Sequence, residues 1–492
     1  MLAVTILQLD MLPTPYLLIV LGILGLTALF MGLLLYQPRY GRFEQRHSYT
    51  RVVLGFILSV IVILASLIGA GAIHKVNGTI SAVTKSETVS SVVDIYVLAD
   101  NPAQNIDDAR DYRFAATDSY DWENTQIAIE EVEEYLGTSI DIATYPSVFE
   151  MVDALYNEEA DALFLDNAYI DILIDTDEYA DFAELTRIIH ENSVKKTDPV
   201  ENANPGNFFS DLFAPHEKEE EVFKDTTKPF LIYLSGSDTR SKILSKSRND
   251  VNIIAAVNPQ TKQVLLVNTP RDYYVGNPAG GGRKDKLTHC GIYGVDCSIE
   301  ALEALYNEEI AYYAQINFTG FETLIDAIGG ITVNSNVSFT TTIDSYRIKA
   351  GDNKLNGHQA LCFARERYAL AGGDNDRGKN QMKVITAVIK KLMSARTVIA
   401  NYGDIMSSLE GMFVTNMTQD DMSKLVKMQL SDMASWDVLS YAVTGTGSSK
   451  TTYSMPSTNA YVMIPNQDTV DRAAALFDRI MSGEKITSDD LS

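Results

Sequence analysis

The sequence predicts an α/β protein with two N-terminal transmembrane helices, an α/β accessory domain, and a larger α/β domain whose central mixed sheet is flanked by helices. Three observations support this. Two apolar runs, residues 16–36 and 52–73, precede the first polar segment. Between residues 93 and 200, short apolar runs alternate with helical stretches, as in layered α/β folds. From residue 230, buried-strand patterns alternate with amphipathic helices.

Residues 1–75 are predicted to form a transmembrane hairpin with helices at about 16–36 and 52–73. Each run is long enough to cross a hydrocarbon core of about 30 Å. A signal peptide is not favoured, because Asp10 precedes the first run and a second full-length run follows. The link between the runs contains the basic residues Arg39, Arg42, Arg46 and Arg51 and the single acid Glu44. The positive-inside rule therefore places the link in the cytoplasm and everything after about residue 75 outside the cell.

The chain after residue 75 divides into segments of different composition. Residues 76–92 are rich in Ser and Thr and are predicted to be a spacer. Residues 93–200 form an acidic accessory domain, and residues 201–227 are a polar linker. Residues 228–480 form the larger domain, followed by a tail at 481–492.

The net charge of −25 comes from one segment. Residues 90–225 contain 7 Lys and Arg against 34 Asp and Glu, whereas residues 228–400 contain 21 basic and 16 acidic residues. The acidic segment disfavours nucleic acid and anionic lipid as partners, and no helix-turn-helix with a basic face is found. The mildly basic segment suits a pyrophosphate.

Charged residues stand at the ends of three predicted strands in the larger domain. FLIYLSG leads into Asp238 and Arg240, Arg248 and Asp250 precede VNIIAAV, and Arg271 follows VLLVN. The last two strands form a predicted hairpin. Arginines and carboxylates converging at strand ends predict a phosphate site beside a metal site.

Two helices follow. TGFETLIDAIGG is predicted to be a packing helix, capped by a Thr319–Glu322 capping box and ended by two glycines. GGDNDRGKNQ begins another helix, on which Arg377 and Gln381 share a face and an anion would meet free N–H groups.

These segments resemble the LytR-CpsA-Psr family of Gram-positive bacteria over roughly residues 228–480. The matching words, in order, are SGSDTR, RND, TPRD, DKLTH, NFTGFETLIDAIGGI, LNGHQALCFARER and GDNDR. The resemblance implies an extracellular, membrane-anchored, phosphotransferase-type ligase that moves a glycopolymer, capsular or teichoic-acid-like, from undecaprenyl pyrophosphate to peptidoglycan. Membrane hairpin plus accessory domain is similar to the capsule-assembly branch, in which polysaccharide assembly proteins are further expected partners. A pyrophosphatase side activity is also expected.

The resemblance also assigns roles to individual residues. Pyrophosphate binding falls on Arg248, Arg271, Lys286, Arg365, Arg367, Arg377 and Gln381. The metal-linked carboxylates fall on Asp238 and Asp250, with Mg²⁺ or Mn²⁺ as the cofactor. Asp238 and Arg271 are the expected catalytic residues, and sequence does not separate a base role from a metal-ligand role for Asp238. Asn380 departs from the family pattern, which often has a second arginine there.

Other residues have structural interpretations. Asp272 is interpreted as a salt-bridge partner rather than a catalyst, and His289 as a core or loop histidine rather than a metal ligand. Arg240 is either solvated or part of the site. Cys290 and Cys297 either pair across a short loop or are two small buried thiols, and no cysteine spacing indicates zinc.

The predicted reaction is attack by a peptidoglycan sugar hydroxyl on the anomeric carbon of the first polymer sugar, with undecaprenyl pyrophosphate leaving. Arginines and magnesium would stabilise the charge that develops on the leaving group. The alternatives are a membrane-bound transcriptional attenuator and a non-catalytic scaffold of polysaccharide biosynthesis.

Overall fold

The computed structural model describes most of the soluble chain. Its described residues are 14–36, 53–66, 91–118, 122–194, 226–240, 244–394, 405, 408–409 and 411–491. The link between the apolar runs, residues 76–90 of the predicted spacer, and residues 201–225 of the predicted linker lie outside the described residues.

The N-terminal part contains two apolar helices, α1 (Thr14–Leu35) and α2 (Val53–Ser66). Helix α1 is 22 residues long, apolar, and without buried residues, so it is long enough to cross a membrane. Helix α2 is shorter. A Cβ added at Gly55 would lie 3.0 Å from Leu34 Cβ, so the two helices touch at this glycine.

The accessory domain is built on one six-stranded sheet. Its strand order is β3-β2-β4-β1-β5, and β6 also pairs with β1. The strands are β1 (Ser91–Leu98), β2 (Arg113–Thr117), β3 (Asp141–Tyr145), β4 (Ala162–Asp166), β5 (Thr186–His190) and β6 (Ser193–Val194), and the helices are α3 (Trp122–Leu136), α4 (Val148–Tyr156), α5 (Ile170–Ile174) and α6 (Phe182–Leu185). Strand β2 is parallel to β3 and β4, whereas β1 is antiparallel to β4, β5 and β6.

Both faces of this sheet are covered. Ile95 packs with Val132 of α3 on one face, and Tyr96 packs with Met151 of α4 on the other. Successive residues of a strand point to opposite faces, so β1 supplies both cores. The alternation of strand and helix predicted for residues 93–200 is present.

The larger domain has a mixed six-stranded sheet in the order β17-β12-β7-β8-β9-β18. These strands are β7 (Phe230–Ser237), β8 (Asn249–Asn258), β9 (Gln263–Asn268), β12 (Tyr312–Asn317), β17 (Phe413–Thr415) and β18 (Asp437–Ala442). The β7–β12 and β9–β18 pairs are parallel and the others antiparallel. The predicted mixed sheet and the predicted β8–β9 hairpin are confirmed.

Helices lie on both faces of this sheet. The described helices are α7 (Leu287–Cys290), α8 (Val295–Tyr306), α9 (Phe318–Ala327), α10 (Gly357–Arg365), α11 (Asp374–Leu392), α12 (Gln419–Asp432) and α13 (Gln467–Met481). The short strands outside the central sheet are β10 (Tyr274–Asn277), β11 (Arg283–Lys286), β13 (Ile331–Ser335), β14 (Phe339–Thr340), β15 (Arg347–Ile348), β16 (Gly351–Leu355), β19 (Gly445–Lys450) and β20 (Ala460–Pro465). Leu302 of α8 and Phe477 of α13 cover one face of the sheet, and Met382 of α11 packs on the other.

Helix α9 begins differently from the prediction. Its N-cap is Asn317, whose side-chain oxygen accepts a hydrogen bond from Gly320 N at 2.8 Å. The predicted Thr319–Glu322 capping box is therefore wrong, because Asn317 already satisfies the first turn. The predicted end is confirmed: Gly329 and Gly330 have φ of 77° and 75°, which favour glycine.

The segment predicted as a tail packs on the larger domain. Ile486 is fully buried, and its backbone exchanges two hydrogen bonds with the side chain of Gln263. The domain core therefore extends beyond residue 480.

One apolar core is shared by the two domains. Tyr169 and Leu173 of the accessory domain belong to the same buried cluster as Ile292, Met455 and Ala460 of the larger domain. This contact places the short helix α5 beside the start of β8.

Candidate active site

The start of β8 is fixed by a buried asparagine between two charged residues. Asn249 is fully buried and donates to Tyr233 Oη at 3.2 Å and to Ser298 Oγ at 3.0 Å. Its side-chain oxygen accepts from Gln315 Nε2 at 3.2 Å. Asn249 is the first residue of β8, so anchoring its side chain fixes the position of the flanking residues Arg248 and Asp250.

We expect Asn249→Ala to lower the free energy of unfolding by about 2–4 kcal/mol, because its buried polar partners would lose their hydrogen bonds. Thermal and urea unfolding of the purified protein in detergent would measure this. Asn334→Ala is the matched control, since that exposed asparagine bonds only at the surface to Asp352, and a change within about 0.5 kcal/mol is expected. Equal stability of both variants would contradict the anchoring role.

Arg271 lies at the centre of a chain of opposite charges. Its Nη1 contacts Asp250 Oδ1, and its Nε lies 3.8 Å from Asp272 Oδ2. Lys286 Nζ lies 3.8 Å from the other oxygen of Asp272. Asp272 thus bridges two of the predicted cationic residues, as its salt-bridge interpretation requires.

Arg248 joins this group to the accessory domain. Its Nη2 lies 3.9 Å from Asp238 Oδ2. Its Nε lies 3.0 Å from Asp171 Oδ2, and its Nη1 lies 2.5 Å from Asp175 Oδ2. Only 12% of the Arg248 side chain is exposed, so these ion pairs are partly shielded from water. Asp171 and Asp175 were not predicted, because nothing in their spacing or composition separates them from the other acids of the domain.

The pKa of Asp238 is raised from its ordinary value of 3.8 to about 6. Burial is the largest cause, and the negative charges of Asp250 and Asp171 add to it, whereas Arg248 and Arg271 act against it. Close carboxylates of this kind fit a hard divalent cation such as Mg²⁺, which takes oxygen ligands. Asp238 and Asp250 are therefore suited to hold one.

Whereas the pKa of Asp238 is raised, the pKa of Lys286 is lowered. Burial lowers its pKa, Asp272 and Asp175 act against the shift, and Arg271 and Arg248 add to it. Arg248 and Arg271 act on both Asp238 and Lys286. The structure thus brings together five predicted residues: Asp238, Arg248, Asp250, Arg271 and Lys286.

A pocket of about 210 Å³ opens beside this group. Asp250 and Arg271 line it from the strand side, and Arg377 and Gln381 line it from the first turns of α11. Gly378 permits this approach, because an added Cβ would lie 2.9 Å from Asn268 Nδ2. The predicted i, i+4 pair on α11 therefore faces the strand-end cluster.

Arg365 and Arg367 occupy different positions. Arg365 lies over the Phe318 ring with its guanidinium carbon 4.5 Å from the centroid, and Phe318 N donates to Thr239 O of the strand-end loop. Arg367 is exposed and lies 5.8 Å from the centroid of the Tyr368 ring. Arg365 thus borders the strand-end loop, whereas the contact shown by Arg367 is local.

Asn380, the departure from the family pattern, has a packing contact. It is buried and donates to Phe363 O at 3.2 Å, which ties α11 to α10. Its side chain therefore connects two helices.

The buried sulfurs and His289 are structural in this arrangement. Cys290 and Cys297 are free thiols. His289 Nδ1 lies 2.7 Å from Asp285 Oδ1, and both side chains are buried. Burial alone would raise the pKa of Asp285, but His289 and hydrogen bonds from Ser454 and Asn277 outweigh it and lower that pKa.

The fold and the pocket define an α/β protein with an arginine- and aspartate-lined pocket at the strand ends. The chain belongs to the LytR_cpsA_psr family, whose model matches residues 188–472, more than half of the chain. This confirms the resemblance found in the sequence. The match begins within the last strands of the accessory domain.

Two relatives with similar sequences support the family assignment. A polyisoprenyl-teichoic acid–peptidoglycan teichoic acid transferase TagU of Enterococcus faecalis is 36% identical over 210 residues, which cover 42% of this chain and 68% of the relative. The protein of the same name from Bacillus cereus is 35% identical over 209 residues, 42% of this chain and 67% of the relative. The solved structure of B. subtilis TagV is 25% identical, with a TM-score of 0.44, covering 53% of this chain and 99% of that one.

Proposed function

We propose that this protein is a membrane-anchored transferase that moves a glycopolymer, capsular or teichoic-acid-like, from undecaprenyl pyrophosphate to peptidoglycan outside the cell. The observation that carries the proposal is the convergence of Asp250, Arg271, Arg377 and Gln381 on one pocket. Membership of the family and the transferase names of its relatives support it.

The pocket suits a pyrophosphate. Guanidinium groups grip phosphate oxygens bidentately, and groups already held in place stabilise developing charge with little reorganisation. Arg271 is held by Asp250 and Asp272, so its guanidinium is already in place. A helix start at α11 adds backbone N–H groups to the same face.

Asp238 and Asp250 would hold Mg²⁺ or Mn²⁺, which would supply charge neutralisation for the leaving phosphate. Asp238 has a pKa near 6, so at neutral pH its carboxylate can also accept the proton of the attacking sugar hydroxyl. Arg271 and Arg248 act on this carboxylate and would orient the anion beside it, and Lys286 reaches the same group through Asp272.

The membrane arrangement is part of the proposal. Helix α1 is long and apolar enough to act as an anchor. We propose that residues 52–73 form a second span and that the chain after about residue 75 lies outside the cell of a Gram-positive bacterium. A reporter fused after residue 492 that works only in the cytoplasm would overturn this topology and favour a transcriptional attenuator.

The direct test uses the purified full chain in detergent with a lipid-linked sugar, a peptidoglycan acceptor and Mg²⁺. Acceptor labelling with release of a polyprenyl product is the expected result. Mass spectrometry of that product identifies the bond broken: attack at the anomeric carbon releases undecaprenyl pyrophosphate, whereas attack at phosphorus releases undecaprenyl phosphate and leaves a phosphodiester. Tight carrier binding without any transfer would overturn the enzyme proposal in favour of a scaffold.

The accessory domain is expected to tune carrier affinity through Arg248. Replacing both Asp171 and Asp175 with Asn removes two carboxylates that compete with the pyrophosphate for the Arg248 guanidinium. We expect the KM for the lipid carrier to fall by about 5-fold or more, with kcat little changed. Asp177→Asn, an exposed change in the same domain, is the control. A rise in KM would instead show that the two acids hold Arg248 in its working position.

A further inference from the structure

A cluster of metal-ligating side chains lies on α10 and the β14–β15 connection and has no role in the proposed transfer. The ligand atoms of Asp344, His358 and Cys362 all lie within 4.8 Å of one another. His358 Nε2 lies 2.7 Å from Asp344 Oδ2 and 3.9 Å from Cys362 Sγ. No cysteine spacing indicated zinc here, because one ligand comes from a loop and only two come from a helix.

The fold presents these three groups together. His358 and Cys362 are four residues apart on α10 and therefore share one face of that helix. Asp344 comes from the tight connection between β14 and β15, where it has φ of 57°. Cys362 is buried, whereas about half of the Asp344 side chain is exposed, so the cluster has an inner sulfur and an outer carboxylate.

The imidazole is oriented by a further carboxylate. His358 Nδ1 lies 2.8 Å from Glu322 Oε1. A carboxylate on the far ring nitrogen is the usual partner of a metal-bound histidine, because it fixes the ring and makes the other nitrogen a better ligand. Glu322 contacts Arg240 at 3.6 Å as well, which connects the cluster to the loop that carries Asp238.

We propose that Asp344 Oδ2, His358 Nε2 and Cys362 Sγ form a binding site for a thiophilic divalent ion, with Zn²⁺ the best match. Thiolate, imidazole and carboxylate are all ligands of zinc, whereas Mg²⁺ prefers oxygen alone. On binding, the Asp344–His358 hydrogen bond is replaced by two bonds to the ion, and two protons leave to solvent, one from His358 Nε2 and one from the Cys362 thiol, while Nδ1–H stays hydrogen-bonded to Glu322. A solvent molecule completes the coordination.

The site would brace the rim of the transferase pocket. Arg365 follows Cys362 by less than one turn on α10 and stacks on Phe318, which bonds to the strand-end loop. A bound ion therefore fixes α10, the β14–β15 connection and Glu322 with respect to Arg240 and Arg365. It is distinct from the Asp238–Asp250 pair that would hold magnesium.

The test uses Co²⁺ as a spectroscopic replacement for Zn²⁺ on the purified, metal-stripped full chain under reducing conditions. The expected result is one ion per chain, with a thiolate-to-cobalt charge-transfer absorption that is displaced by Zn²⁺ and unaffected by excess Mg²⁺. Isothermal titration with Zn²⁺ gives the stoichiometry and affinity. Neither readout depends on transferase activity.

Four variants make the assignment specific. Cys362→Ala should abolish the charge-transfer absorption, and Asp344→Asn, a mild change at a half-exposed side chain, should weaken Zn²⁺ binding. Glu322→Gln should weaken it by about 10-fold or more while the absorption remains. Cys297→Ala is the matched control and should leave binding intact. Absorption that survives Cys362→Ala, or is lost in Cys297→Ala, would place the thiolate elsewhere and overturn the proposal, as would the absence of any cobalt–thiolate absorption.

Discussion

Arg271→Ala is expected to lower the rate of glycopolymer transfer by about 100-fold or more, equivalent to about 2.7 kcal/mol of transition-state stabilisation. Arg271 lines the pocket and is held by Asp250 and Asp272, so its guanidinium is fixed before the anion arrives. Arg271→Lys should recover only part of the rate, because an ammonium group cannot reproduce the bidentate fork. Steady-state transfer to peptidoglycan from a lipid-linked sugar measures both.

Arg283→Ala is the matched control for Arg271. Arg283 is exposed on β11, the same strand as Lys286, but stacks on Tyr453 with its guanidinium carbon 4.1 Å from the ring centroid. We expect its removal to change the rate by less than about twofold. If Arg271→Ala were no slower than Arg283→Ala, the pocket would not hold the reacting phosphate.

Asp238→Asn is expected to abolish transfer and, at neutral pH, to make the protein more stable. The folded protein binds a proton at Asp238 up to about pH 6, whereas the unfolded chain releases it near 3.8. Between these values the folded state holds more protons, so stability falls as pH rises through this window. The carboxylate at pH 7.5 therefore costs on the order of 1–3 kcal/mol, a cost that the amide removes.

Thermal unfolding of the full chain at pH 4.5 and pH 7.5 tests this prediction. The stability difference between Asp238→Asn and the natural protein should grow with pH and level off above about pH 6.5. Asp352→Asn, at an exposed aspartate, should show no such trend. A difference that does not depend on pH would show that Asp238 is not titrating near 6. The activity of the natural protein should depend on pH as well. The rate of transfer should fall as pH drops below about 6, because protonated Asp238 can neither accept a proton nor bind a cation.

Local patterns were sufficient to predict where most of the pocket residues lie. Arg377 and Gln381 are four apart on a helix, so periodicity alone gives this pair one face, and Arg248 and Asp250 were placed at the start of a predicted strand. Strand ends of one sheet then bring Asp238, Asp250 and Arg271 together. The mixed sheet and its hairpin followed from the same patterns.

Contacts between distant segments could not be predicted in this way. The ion pairs of Asp171 and Asp175 with Arg248 join residues more than 70 positions apart, and they depend on how the two domains pack. The cap of α9 was misassigned because Asn317, the last residue of β12, competes with Thr319 as first acceptor, and only the strand geometry selects it. Arg367 and Arg365 are two apart, yet helix α10 ends between them, so they face different surroundings.

The apolar cluster formed by Tyr169 and Leu173 with Ile292, Met455 and Ala460 has a mechanical consequence. A core shared across the boundary means that neither domain can open without exposing apolar surface of the other, so the two should melt as one cooperative unit. Any molecule that binds only the folded accessory domain would then also raise the melting temperature of the larger domain, by mass action. Such a molecule would also be held at a fixed distance and orientation relative to Arg248.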